Sequence, residues 1–229
     1  MFPSKDPLVV GLGIVILILS LSFHELAHAW TAWQLGDPTA KNLGRVSFNP
    51  LRHISPLFTI LMPIVTFLIA GFPFGGAKPV PVNFQNLKNP RRDDVLVSFA
   101  GPMSNVLLAC LLAILTTVLL KAGVVDYDPD YQLWDPAPWA NLLVYAVFIN
   151  LLLAAFNALP IPPLDGFSLI RLFLPGKIFW GIRRFEWIGL VVIFGLILFL
   201  MHRGIGITFD MFERIPRDFI AFFWRLLFR

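Results

Sequence analysis

Apolar positions along this chain come in long unbroken blocks rather than at the short periods of a soluble fold. From Leu8 to Leu21 there is no charged residue, and the apolar character runs on to about Leu35. As a helix this stretch rises roughly 40 Å, enough to cross an apolar core about 30 Å thick. Trp30 and Trp33 suit an aromatic belt near its end, and Gly36-Asp37-Pro38 ends it. Asp94 to Lys121 and Trp139 to Ala158 predict two further spans, and about Phe185 to His202 a last one. The tail, Met211 to Arg229, interleaves Phe and Trp with Arg and predicts a helix lying in the interface. Gly44 to Pro50, rich in turn formers, is expected to form a short strand and turn.

Between Pro56 and Phe74 the block is broken by Pro56, Pro63, Gly71 and Pro73. Lys41, Arg45 and Arg52 precede it, and Lys78, Lys88, Arg91 and Arg92 follow. Basic flanks stay in the cytosol, so the segment is expected to enter the membrane and return without spanning; an ordinary kinked helix is the alternative. The loop from Ala122 to Pro138 carries Asp126, Asp128, Asp130 and Asp135 with no Lys or Arg, which puts it outside. Arg171, Lys177, Arg183 and Arg184 return the chain to the cytosol. The expected fold is an all-α polytopic membrane protein. It has about five membrane helices plus a re-entrant or short β segment. Residues 1–229 form one integral-membrane domain, with a core over about 8–170.

Composition agrees with the pattern. The 229 residues are 57% hydrophobic and 14% charged, and the mean hydropathy is +0.76, values outside the soluble class. Cys110 is alone, so no internal disulfide can form. The N-terminal apolar stretch is too long for a signal peptide and is expected to be retained. The partners expected are the bilayer and proteins within it, and no nucleic acid.

Candidate chemistry concentrates in Ser22-Phe23-His24-Glu25-Leu26-Ala27-His28. Four residues apart on a helix, His24 and His28 share one face and can hold one zinc ion, and Glu25 beside them can take a proton from the water it activates. An ionisable cluster inside an apolar run points to function. A catalytic site needs a third ligand and an open position. Position 34, where a further histidine would complete one known spacing, is Gln34. Glutamates are confined to Glu25, Glu186 and Glu213, and Glu186 reads as a boundary charge beside Arg184. Asp165 remains, in a turn that Pro160, Pro162 and Pro163 keep from being helical; an N-cap for a helix starting at Gly166 is its other reading. His53, next to Arg52, reads as interfacial and less readily as an extra ligand. Ser98, Gly101 and Asn105 share a helix face, as do Asn150 and Asn157. The first set reads as a small-residue packing seam in which Asn105 can also take a direct part in catalysis, and Asn105 or Asn157 can serve the oxyanion.

HELAH in an early membrane helix, GPMSN at 101–105 and NALPIPPLDG at 157–166 together resemble the site-2 protease family of intramembrane zinc metalloproteases. GRVSFNPLRH at 44–53 and GGAKPVPVN at 75–83 are similar to a prokaryotic branch. The resemblance, over roughly residues 15 to 170, implies a three-helix membrane core, one zinc held by His24, His28 and Asp165, and Glu25 as general base. It implies cleavage of membrane-spanning substrate segments near the cytosolic side, often in regulated proteolysis, in a multi-pass protein of a prokaryotic cell membrane. Asn157 matches an asparagine that helps to position substrate. No PDZ or CBS module is expected here.

Three other readings fit parts of the pattern. A metal or proton transporter would place His and Asp in the membrane but has no use for Glu25, and it usually shows repeats. A bis-histidine haem protein would absorb visibly, and four histidines are too few for a histidine-rich di-iron cluster. Another membrane zinc endopeptidase would want a glutamate ligand. Finally, Lys78-Pro79-Val80-Pro81-Val82 lacks N–H donors at its two prolines, leaving those of Lys78, Val80 and Val82 along one edge. An unwound substrate can add to that edge as a strand; a plain connector, or pairing with 44–48, is the other expectation.

Overall fold

The computed structural model describes residues 7–70, 75–124, 138–185 and 209–228, with scattered positions between 188 and 199. Helix α1 (Pro7–Gln34) is followed by α2 (Thr39–Asn42) and a 3-10 turn at Pro50–Arg52. A π-helical stretch, Pro56–Leu61, runs directly into α3 (Met62–Ala70). Then come α4 (Pro90–Lys121), α5 (Pro138–Asn157), a 3-10 helix at Asp165–Leu172, α6 (Gly176–Arg183) and α7 (Phe209–Phe228).

Helix α1 stops where the chain can turn left-handed. Gly36 has φ of +113°, the Asp37 N–H donates to Ala32 O and the Gly36 N–H to Trp33 O, so the last carbonyls of the helix are satisfied. Helix α4 starts at Pro90, where a missing N–H costs nothing, and Asp93 reaches back to accept from the Asn89 N–H at 2.7 Å. It continues for 32 residues through Pro102. Among the described residues, two helices, α1 from Gly11 and α4, are long and apolar enough to cross a membrane.

Helices α1, α4 and α5 pack on one another, and α7 lies along α4 and α5. The contacts use small residues: Ala29, Ala32, Ala109 and Ala113 are fully buried. Outward positions of α4 are large and apolar, with Leu107 61% and Leu111 56% exposed. Polar residues go inside instead: Asn105 and Asn150 are completely buried. Apolar outside and polar inside is the distribution a lipid solvent selects.

One expectation, the short strand, changes here. No strand forms among the described residues. Residues 43–44 make a turn, the N–H groups of Gly44 and Arg45 donating back to Lys41 O and Ala40 O, 46–48 are bends, and 75–83 has no ladder. The C-terminal helix expected to lie in the interface buries Ile220 against Ala113 and Val147, with Phe219 and Phe223 alongside. Its apolar side is therefore shared between protein and the outward-facing Phe222 and Leu226. The 56–74 segment is helical to Ala70, and residues 71–74 lie outside the described part. The chain then stands beside its own starting point, the Gly76 N–H donating to Phe58 O at 2.9 Å and Thr59 Oγ1 to Gly76 O at 2.7 Å. The acidic loop with Asp126, Asp128, Asp130 and Asp135 lies outside the described residues, as does most of the expected span 185–202.

Candidate metal centre

His24 and His28 occur one turn apart on the inner face of α1, 4% and 7% exposed, with ring centroids 4.6 Å apart. Each imidazole is fixed through Nδ1. His28 Nδ1 lies 2.7 Å from Val97 O, a carbonyl that can only accept, so this nitrogen carries the proton. His24 Nδ1 lies 2.6 Å from Asn105 Oδ1. The orientation of that amide is set by its own donors: Asn105 Nδ2 donates to Asn150 Oδ1 at 2.8 Å and towards Ser20 O at 3.4 Å, and Asn150 Nδ2 donates to Ser20 Oγ and Ala146 O. Both Nε2 atoms are thereby left as lone pairs facing the interior of the bundle.

Asp165 enters from the other side. Its Oδ2 lies 3.0 Å from His24 Nε2 and 3.3 Å from His28 Nε2, is buried, and has no hydrogen-bond partner. Its helix is capped at Leu164 with no side-chain bond, so the N-cap reading of Asp165 does not hold. Gly166 allows the approach: a Cβ there would strike the backbone of Ala158 and Leu159 at the end of α5. Two imidazole nitrogens and a carboxylate oxygen thus converge within 4.8 Å of one another. Such a set is unstable by itself and fits a cation; two imidazole nitrogens and a carboxylate oxygen are the donors zinc takes.

Gly101 makes room for the two imidazoles. A Cβ at Gly101 would come within 2.5 Å of His28 Cε1 and 2.6 Å of His24 Cε1, and closer still to His28 Nε2. In the sequence this glycine reads as a packing position on the Ser98–Asn105 face and as the first residue of GPMSN, and neither says that it lies against the two histidines. The Val97 carbonyl left no trace in the sequence, since backbone acceptors are common to every residue.

Glu25 is half-buried, and its Oε2 accepts from the Val80 N–H at 3.1 Å. The extended segment carrying Val80 crosses α1 at this level. Ala77 packs on the Leu17, Leu21 and Ile149 cluster, and Val82 on Ala32, Leu87 and Val97. The Lys78 N–H donates to His53 O at 2.8 Å, and Arg45 Nη2 donates to Lys78 O. Two of the three donors expected along an open edge, those of Lys78 and Val80, are therefore engaged within the chain. His53 is buried behind this segment, with Nε2 2.9 Å from Ser47 O, and is not brought to the His24 and His28 pair. Asn157, at the end of α5, donates to Leu153 O at 3.0 Å. Asn150 joins Asn105 rather than Asn157, although the two share a helix face. The side chains of Glu186 and Glu213 lie outside the described residues.

Asp37, just beyond α1, anchors the far end of the crossing segment. It accepts from the Thr39 N–H and hydroxyl, from the Asn83 N–H at 2.7 Å and from Asn86 Nδ2 at 2.9 Å. Burial alone would push this carboxyl up, but the Thr39, Asn86 and Asn83 donors outweigh it and hold the group below its ordinary value.

The sequence profile of peptidase family M50 matches residues 12–128 and 122–200. A Bacillus subtilis protein named as a zinc metalloprotease, YwhC, is 36% identical over 225 residues, 93% of either chain. Rip2 of Mycolicibacterium smegmatis, named as a zinc metalloprotease too, is 31% identical over 168 residues, 71% of this chain and 58% of that one. Rip2 of Mycobacterium tuberculosis is 32% identical over 164 residues, with shares of 69% and 58%. No solved structure matches the chain.

Proposed function

The chain belongs to peptidase family M50, the site-2 protease family of zinc metalloproteases, and from that premise we propose that it hydrolyses peptide bonds in membrane-spanning segments of protein substrates. The observation that carries this is the convergence of three buried acceptors, His24 Nε2, His28 Nε2 and Asp165 Oδ2, beside a carboxylate, Glu25, that is not among them.

In this reading His24, His28 and Asp165 hold zinc, which supplies Lewis acidity and a water acidified towards neutrality. Glu25 is the general base. With one oxygen held by the Val80 N–H, the other is free to take the proton of the attacking water and return it to the leaving amine. Asn105 was also a candidate for the oxyanion. Its donors face Asn150 and Ser20, which supports a different role, that of fixing the His24 ring. Asn157 stays the candidate for positioning substrate.

The charge pattern supports a site near the cytosolic side, since Lys41, Arg45 and Arg52 follow α1 directly. The return of Gly76 to Phe58 supports a 56–74 segment that enters and leaves on the same side. We read the protein as multi-pass and resident in a prokaryotic cell membrane, with a role in regulated intramembrane proteolysis. A substrate helix must unwind before its carbonyls can be attacked, and Val82 next to the Glu25 contact is where an extended substrate would lie.

Glu25→Gln separates base from ligands. The variant is expected to keep about one zinc per chain while cleavage of a transmembrane substrate falls about 10²-fold or more. Normal turnover by that variant would overturn the assignment.

A further inference from the structure

We propose that Arg171 and Asp94 form a positioning clamp that sets metal affinity by holding the helix of Asp165 against α4. The proposal rests on Asp165 being a metal ligand and concerns what keeps it there.

Asp165 belongs to a 3-10 helix of eight residues, Asp165–Leu172, too short to be rigid without outside support. Where its first residue stands depends on how the helix is fastened. Gly166 lets it rest on the end of α5. One turn on, Ser168 Oγ meets Ser98 Oγ of α4 at 2.6 Å. At the far end Arg171 Nη1 donates to Asp94 Oδ2 at 2.6 Å, with Arg171 8% and Asp94 2% exposed. The guanidinium lies 5.2, 5.6 and 5.3 Å from the ring centres of Phe84, Phe179 and Trp180, so aromatic faces enclose what the carboxylate does not reach. Phe167 stacks on Phe179 at 5.1 Å and continues the enclosure along the same helix.

On α4 the positions involved follow the helical spacing of three and four. Asp94 and Ser98 hold the Asp165 helix, the Val97 carbonyl holds His28, Gly101 lies under both imidazoles and Asn105 holds His24. One stripe of α4 therefore serves as the template for all three ligands. The histidines are also tied to each other by α1. Asp165 has no such tie, and its register on the stripe comes from Ser168 and Arg171.

A buried ion pair is a poor source of stability, because taking both charges out of water offsets most of their attraction. Apolar side chains of similar volume would hold the helix down as well. They would not fix where along α4 it sits, which a directional guanidinium–carboxylate bond does. Metal ligands tolerate displacements of only about 0.2 Å, so register matters more to the metal than to the fold.

The test removes both charges at once, so that neither is left buried alone. Asp94→Asn combined with Arg171→Met is compared with the unaltered full chain in detergent, by zinc competition against a chelator and by thermal unfolding of the zinc-free protein. Zinc affinity is expected to fall about tenfold or more, with zinc-free unfolding close to that of the unaltered chain. In an Asp165→Ala background, itself weaker in zinc, the same double change is expected to cause no further loss. Unchanged affinity, or an equal loss in both backgrounds, would overturn the clamp while leaving the ligand assignment in place. An Asp165→Ala protein with full zinc affinity would overturn the ligand assignment and the clamp with it. Should the double variant fail to fold, Arg171→Lys keeps the charge but loses the planar fork, and a zinc affinity equal to that of the unaltered chain would again overturn the clamp.

Discussion

Replacing Gly101 by alanine sets two effects of opposite sign against each other. Gly101 lies inside α4, where Gly→Ala ordinarily stabilises a helix by about 0.5–1 kcal/mol. The added Cβ would stand 2.5 Å from His28 Cε1 and 2.6 Å from His24 Cε1, where ordinary contact begins at 3.4 Å. Both imidazoles must then retreat by about 1 Å, several times the tolerance of a metal–ligand distance. They cannot retreat freely. His24 is held at 2.6 Å by Asn105 and His28 at 2.7 Å by Val97 O, and leaving either buried bond unmade costs about 1–3 kcal/mol. The methyl also comes closest to His28 Nε2, one of the proposed zinc ligand atoms. Zinc affinity is expected to fall at least about 100-fold, equivalent to about 2.7 kcal/mol. The helix term works the other way, so loss of metal without loss of secondary structure identifies the site as the cause. Zinc per chain after chelator competition, with helix content by circular dichroism in detergent, measures both. A Gly101→Ala protein that binds zinc as tightly as the unaltered chain would show that the ion does not sit between these imidazoles.

Three other perturbations follow from the same geometry. Because the folded Asp37 carboxyl is held below its ordinary value of 3.8, its contribution is full above that pH and declines as the pH falls through the folded value. Asp37→Asn should therefore cost about 1–3 kcal/mol at pH 7, with the difference from the unaltered chain narrowing in acid; a gap in melting temperature that stays constant from pH 7 to pH 3 refutes this. Val80→Pro removes the donor to Glu25 and should slow proteolysis about tenfold or more with zinc content unchanged, and undiminished cleavage would show that this contact does not orient the base. With Cys110 replaced, single cysteines at Asn42 and Asn86 should both react with an impermeant reagent from the cytosolic side only; reaction from opposite sides would mean that 56–74 crosses the membrane.

What the sequence determined by itself is whatever depends on local spacing or on solvent. The membrane class follows from uninterrupted apolar blocks, because no core of a soluble domain this size can hide them. The His24 and His28 pair with Glu25 follows from helical geometry, which places residues four apart on one face whatever else the chain does. Asp165 stood out as an acid in a turn that prolines keep from being helical, at the level of the histidines. Tertiary structure decided matters that turn on convergence of distant segments. Asn105 is 81 residues from His24 and reads in the sequence as a seam position with a candidate part in catalysis, while its bonds run to His24, Asn150 and Ser20. Gly101 carries no side chain to advertise its part, and Val97 acts through a carbonyl that every residue has. The Lys78 to Val82 edge could be read for which donors its prolines remove, but not for what the remaining donors would meet. Folding brings Glu25 and His53 to them, because the crossing segment is anchored at Asp37 on one side and at Phe58 and Thr59 on the other. Asp94 and Arg171, 77 residues apart, show the same limit. A buried charge is visible in sequence as an anomaly, and only the packed chain supplies its partner.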